Sequence, residues 1–181
     1  MSSAKRLFLL RHAMAASDFS GVDKERPLTP QGKEDAKILG KAMLKHAYVP
    51  DFILCSSALR TRQTLESLNH HLDVDNIDLR DTLYSGSTGD YLYEVQQTKD
   101  DYDNILIIAH NPSISELVRL LGAQGQESIL SRLHDGYAPA TLSVIECECK
   151  QWSDIQPAEN TLSDYLAPID YNAPARPTRW M

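Results

Sequence analysis

Two histidines and two arginines stand where short apolar runs end. Arg11-His12 follows Leu7-Phe8-Leu9-Leu10. Arg60 follows Phe52-Ile53-Leu54-Cys55 and the serine pair Ser56-Ser57, and His110 follows Ile105-Leu106-Ile107-Ile108-Ala109. Guanidinium forks match the geometry of a tetrahedral oxyanion such as phosphate. Asn111-Pro112, directly after His110, reads as an N-cap with Pro at the first helical position, and a helix start presents free N–H groups to negative charge. Two imidazoles among such groups suit reaction as well as binding. A neutral imidazole is a competent nucleophile toward phosphorus, and a second, protonated beside a dianion, stabilises charge on the transferring group. Taken singly, each residue has a bland reading as a strand-end histidine or a solvated cation. Their joint placement at run ends favours the chemical one.

These side chains meet only if the apolar runs are neighbouring parallel strands, because ligands of an open α/β sheet bind outside the carboxyl ends of its strands. The intervening segments have helical spacing. Thr29-Pro30 caps a helix of about four turns through Ala36, Leu39 and Met43, which Val49-Pro50 ends. Ala58 to His71 is a second helix, Tyr91 to Val95 a short third, and Ile114, Leu117, Val118 and Leu121 line one face of a fourth, with Gly122 as its C-cap. Ile77 to Leu79 is a weak strand, Leu142 to Cys147 a late one, and Asp18 to Pro27 a polar loop. The expected fold is α/β: a three-layer sandwich with a mostly parallel central sheet and helices on both faces. Residues 1–168 read as one domain, with 169–181 as a C-terminal tail. Already from Pro157 the chain is rich in Pro, Asn and Ala and reads as a segment that packs over the domain or frays.

The chain has 181 residues, of which 42 % are hydrophobic and 24 % charged, with 18 basic against 25 acidic residues for a net charge of −7. That acidic balance, without a Lys/Arg block, argues against nucleic-acid binding. The apolar runs are too short to span a membrane, and Arg11 and His12 interrupt the only stretch resembling a leader. Cys55, Cys147 and Cys149 form neither a disulfide framework nor a zinc pattern. The expectation is a soluble, cytoplasmic protein.

Leu9-Leu10-Arg11-His12-Ala13 resembles the signature of the histidine phosphatase superfamily, with its phosphoglycerate mutase-like fold. Further matches follow in order: Arg26-Pro27-Leu28-Thr29, Gly32, Ser56-Ser57-Ala58-Leu59-Arg60 with Gln63-Thr64, Leu83-Tyr84, and Ala109-His110-Asn111-Pro112. The set is most similar to the small SixA-type phosphohistidine phosphatases, as are Pro139-Ala140-Thr141, Trp152 and Leu162 to Pro168. Ala13 stands where the broad superfamily has Gly, a change the SixA-type branch tolerates. Where relatives place a Glu as acid, the nearest carboxylate is the shorter Asp81.

The resemblance implies a two-step transfer. His12 attacks phosphorus, held neutral and oriented by a backbone carbonyl, and Arg11, Arg60 and His110 hold the equatorial oxygens. Water then hydrolyses the phosphohistidine on His12. Arg26 and Ser17 are substrate-binding candidates, and Asp81 is the candidate general acid. No metal and no cofactor are expected, since the cations supply the charge. A phosphorylated imidazole leaves as a base with a conjugate-acid pKa of about 6.5, so a weakly placed acid favours phosphohistidine over an ester. The short chain leaves little for a large lid, and an open site suits a phosphorylated protein, of the histidine phosphotransfer or phosphocarrier type. The alternatives are a phosphomonoesterase acting on a small phosphoester, a mutase, and a phosphate-dependent binding module without turnover.

Overall fold

A computed structural model describes residues 5–173. In chain order its elements are β1 (Lys5–Arg11), α1 (Pro30–Lys45), β2 (Phe52–Ser56), α2 (Leu59–Leu72), β3 (Ile77–Arg80), α3 (Thr82–Ser85), α4 (Thr88–Gln96), β4 (Asn104–Ala109), α5 (Ser113–Leu121), β5 (Gln124–Gly125), α6 (Glu127–Leu130), β6 (Leu142–Cys147) and β7 (Thr161–Leu166). Short 3-10 turns cover Asp23–Glu25, Ser131–Asp135 and Trp152–Asp154. The seven strands form one sheet in the order β3-β2-β4-β1-β6-β7-β5. β3, β2, β4 and β1 run parallel, and β6 pairs antiparallel with both β1 and β7.

The expected three-layer α/β sandwich is what forms, and the apolar strands show why. Successive side chains of a strand point to opposite faces, so Leu7 and Leu9 pack on one side of the sheet and Phe8 and Leu10 on the other, all fully buried. The Phe8/Leu10 side is covered by Leu39 and Met43 of α1 and Leu65 and Leu68 of α2. The Leu7/Leu9 side is covered by Tyr91 and Val95 of α4 and by Ile114, Leu117, Val118 and Leu121 of α5. Those four α5 residues are fully buried, and each contributes about 1.5–3 kcal/mol of transfer free energy.

Helix α1 starts as expected: the Thr29 side chain accepts from Gly32 N–H, with Pro30 at the first position. Helix α5 does not. Pro112 occupies the cap position rather than the first turn, and Asn111 makes no capping bond. Its Nδ2 donates instead to the Tyr137 carbonyl, 3.1 Å away, so its amide is spent on tying the helix start to the 137–139 segment. Gly122 does cap α5, at φ −92°, without the left-handed conformation that would require glycine.

The sequence past Pro157 differs more from the reading given above. It forms β7, an inner strand of the sheet with Leu162 fully buried. Pairing with β6, which carries a register irregularity between Val144 and Ile145, supplies what local composition did not signal. Asn160 pins its start, donating to Leu121 and Gln156 carbonyls and accepting from Glu148 N–H. Beyond it Tyr171 is buried and donates to the Ala140 carbonyl at 2.7 Å. Residues 174–181 of the expected tail lie outside the described residues.

Candidate active site

The parallel order brings the carboxyl ends of β1, β2 and β4 to one edge. A cleft of about 200 Å³ opens there, and Arg11, His12, Arg26, Arg60 and His110 line it together with Met14, Ala15, Asn111 and Pro139. A larger cavity of about 390 Å³ lies elsewhere, near the amino ends of β2 and β3 and the last turn of α4; it contains neither histidine nor cysteine. The chemistry-bearing side chains select the smaller one.

His12 is the first residue past β1, and its Nδ1 lies 2.7 Å from the Ala13 carbonyl oxygen. A carbonyl only accepts, so Nδ1 carries the proton and Nε2 keeps its lone pair. Burial, then the neighbouring His110, then Arg11 and Arg60 push this imidazole well below the ordinary histidine value, against the opposing pull of the Ala13 carbonyl. His12 is therefore neutral at neutral pH. Thr64 holds the loop in place: its hydroxyl accepts from Ala13 N–H at 3.0 Å and donates to the Arg60 carbonyl at 2.7 Å. Gln63 does the same for the next segment by accepting from Leu28 N–H at 2.8 Å. Gly32 is needed where it stands, because a Cβ there would lie 2.2 Å from the Met14 carbonyl oxygen.

His110 faces His12, and its Nε2 lies 2.8 Å from Ser56 Oγ. Its Nδ1 is buried without a partner. Burial and then Arg60 push His110 down to about 3, with Asp23 pulling the other way. The free site thus holds His110 neutral; the imidazolium expected from the sequence is one protonated beside a dianion. A dianion beside it is what would raise its pKa.

Arg11 Nη1 donates to the Tyr137 carbonyl at 2.7 Å. Arg60 is 5 % exposed and lies in the first turn of α2; Nη1 donates to the Asp23 carbonyl and Nη2 to the Asp23 carboxylate. The Nε atoms of Arg11 and Arg60 are buried and unpartnered, like Nδ1 of His110. A buried donor or acceptor without a partner costs about 1–3 kcal/mol, so these three atoms favour a ligand that pairs with them. Arg26 reaches the cleft wall while Nε donates to Asp23 Oδ1 and Nη2 ion-pairs with the same oxygen.

Two expected residues are not brought in. Ser17 is exposed in the loop and does not line the cleft. Asp81 is exposed at the start of α3, where it accepts from Lys24 Nζ at 2.6 Å and from Ser57 Oγ. Those hydrogen bonds, Lys24 first, hold its carboxyl below the usual carboxylate range, so it is ionised at neutral pH. Four residues enter the site that the sequence argument gave no role. Ser56 holds His110, the Tyr137 carbonyl holds Arg11, and Asp23 bridges Arg60 and Arg26. Tyr84 sits edge-on to His110, with centroids 5.8 Å apart, and donates its hydroxyl to Asp23. Tyr84 and Ser56 were visible as members of the matched motifs; nothing in the loop composition marked Asp23. Among the described residues no group of three His, Cys, Asp or Glu side chains is placed to hold a metal ion.

The fold is one that known proteins share. A model of the histidine phosphatase superfamily (branch 1) matches residues 7–92. The SixA protein of Nakamurella multipartitia superposes with a TM-score of 0.82 at 30 % identity, over 92 % of this chain and 98 % of that one. The phosphohistidine phosphatase SixA of Escherichia coli is 27 % identical over 118 residues, 62 % of this chain and 71 % of its own. The structure of a protein histidine phosphatase SixA complexed with tungstate has the same fold, with a TM-score of 0.74 at 20 % identity over 91 % and 98 % of the two chains. The chain belongs to the histidine phosphatase superfamily. That membership, with a SixA neighbour at 30 % identity, supports a phosphatase enzyme. No helix among the described residues is long and apolar enough to cross a membrane.

Proposed function

We propose that the chain removes phosphate from phosphohistidine on another protein, through a phosphohistidine intermediate on His12. The carrying observation is the state of His12: neutral, with Nδ1 committed to the Ala13 carbonyl and Nε2 left as the nucleophilic nitrogen, in a cleft walled by Arg11, Arg60, Arg26 and His110.

Phosphoryl transfer needs positioning and charge stabilisation more than covalent help from the protein. The phosphoryl oxygens would take up the spare guanidinium donors of Arg11 and Arg60 and the Nδ1–H of His110, once Ser56 Oγ–H donates to Nε2 and fixes that tautomer. His12 Nε2 attacks in line and its ring becomes a phosphorylated imidazolium, with the Nδ1 proton on the Ala13 carbonyl stabilising the new charge. Water then attacks phosphorus, the P–N bond breaks, and neutral His12 returns. The guanidinium groups supply charge that a metal supplies in other phosphoryl-transfer sites.

Phosphohistidine is favoured over an ester because Asp81 is ionised, engaged by Lys24 and Ser57, and absent from the cleft wall. An alkoxide needs a proton that no nearby acid supplies, whereas an imidazole departs as a weak base. The neighbours named for phosphohistidine phosphatase, and the tungstate bound by one of them, support an oxyanion site of this kind. The test is phosphate release from a phosphohistidine protein and from a panel of esters, by wild type and His12→Ala. Fast, His12-dependent release from phosphohistidine with slow esters is expected. Preference for an ester would assign a small-molecule phosphomonoesterase instead.

A further inference from the structure

Asp23 is a carboxylate held by two arginines of the cleft, Arg26 and Arg60. It sits in the 3-10 turn between β1 and α1. Its Oδ1 accepts from Arg26 Nε at 3.0 Å and ion-pairs with Arg26 Nη2 at 2.9 Å, and its Oδ2 accepts from Arg60 Nη2 at 3.1 Å and the Tyr84 hydroxyl at 3.2 Å. A carboxylate has about four acceptor positions, and these three hydrogen bonds with the Nη2 contact saturate it in the free protein. The Asp23 side chain is 54 % exposed while its partner Arg60 is 7 %, so the carboxylate stands on the solvent side of an arginine that lines the cleft. An in-line transfer to His12 sends the leaving group to the side away from His12, which is the solvent side of a nucleophile only 8 % exposed. Both arginines that saturate Asp23 also line the cleft, so an incoming phosphoryl group draws on the same guanidinium groups as Asp23.

We propose that Asp23 recognises the leaving group: as the phosphoryl group draws on Arg60 and Arg26, the released Asp23 oxygens accept the ring N–H of a protonated imidazole still bonded to that phosphorus. The inference rests on the phosphohistidine reading and deepens it. The step balances without a general acid. The P–N bond to the substrate ring breaks and its electron pair stays on the substrate nitrogen. The ring, already protonated on its other nitrogen, departs as neutral imidazole. The bond from phosphorus to His12 Nε2 forms, and the positive charge passes to the His12 ring, whose Nδ1–H keeps donating to the Ala13 carbonyl. The anchoring bond from Arg60 Nη1 to the Asp23 backbone carbonyl, 2.9 Å, holds the turn while the carboxylate changes partners. An ester offers Asp23 no N–H; its lone pairs meet a carboxylate.

The groups facing Asp23 are Arg60 on α2, Tyr84 on α3 and Arg26 on its own loop, with Lys24 over the Tyr84 ring and neutral His110 beyond it. None of them is a donor–acceptor pair able to replace the carboxylate. The experiment compares wild type, Asp23→Asn and Asp23→Ala on free phosphohistidine and on p-nitrophenyl phosphate, across roughly pH 5 to 9, with inhibition by inorganic phosphate as the readout of the anion site. In both variants the phosphohistidine-to-ester ratio of kcat/KM is expected to fall about tenfold or more. The acid-favoured rise of phosphohistidine turnover should move to lower pH, while phosphate inhibition of Asp23→Asn stays within about threefold of wild type. A proportional fall on both substrates, or a matching loss of phosphate inhibition, overturns the proposal and leaves Asp23 as a brace for the arginines. An unchanged ratio overturns it while the phosphohistidine reading stands. A wild type that does not act on phosphohistidine removes both.

Discussion

The imidazoles of His12 and His110 face each other across 5.1 Å, centroid to centroid, with planes tilted by 55°, and burial keeps both uncharged. A neutral pair of this kind can accept a phosphoryl dianion without first giving up protons, and it gives the fold a pH signature.

Unfolded histidine titrates at about 6.5, and both folded values lie below it. Unfolding therefore takes up protons in that interval, and stability rises with pH there. The His110 contribution is complete above the unfolded value and is lost as pH falls toward about 3. Replacing His110 with Asn should reduce the slope of unfolding free energy against pH, near pH 5, by about 1.4 kcal/mol per pH unit. Urea titrations over that range measure it. An unaltered slope would mean that His110 is already protonated in the folded protein.

Asp81 carries a clear expectation of small effect. A general acid contributes about 10²- to 10⁴-fold. Exposed and paired with Lys24, Asp81 should give far less: Asp81→Asn should lower ester turnover by under about fivefold. Steady-state kinetics on p-nitrophenyl phosphate decide it, and a loss of the full general-acid size would restore Asp81 to the proton-donor role.

Gly32 is a structural prediction with a functional reading. A methyl group there meets Met14 backbone atoms at 2.2 and 2.9 Å, two residues from His12. Gly32→Ala should destabilise the fold by roughly 1–3 kcal/mol, as overpacking does, and displace the His12 loop. Chemical denaturation together with turnover at saturating substrate would show both. A variant with wild-type midpoint and rate would show that α1 shifts to make room.

The site was legible where its residues sit at the ends of apolar strands. β1, β2 and β4 are continuous buried runs, and a parallel order of such strands puts Arg11, His12, Arg60 and His110 on one edge. What composition concealed depends on partners distant in sequence. β7 exists because β6 offers it a ladder and Asn160 a pin, and its own residues are half polar. Asp23 becomes a site residue only when α2 brings Arg60 to it across 37 positions. Asp81 is spatially close to Ser57 and Lys24, contacts that sequence order alone does not show. The Asn111-Pro112 pair has the local pattern of a cap, whereas the Asn111 amide is engaged by the distant Tyr137 carbonyl.

The most direct test of the account is to quench the reaction with a ³²P-labelled phosphohistidine protein within its first turnover and map the label on the enzyme. The account predicts an acid-labile, alkali-stable phosphate on His12, absent from His12→Ala, which should also lose phosphate release. Label on another residue, or full turnover by His12→Ala, would contradict the assignment of His12 as the nucleophile.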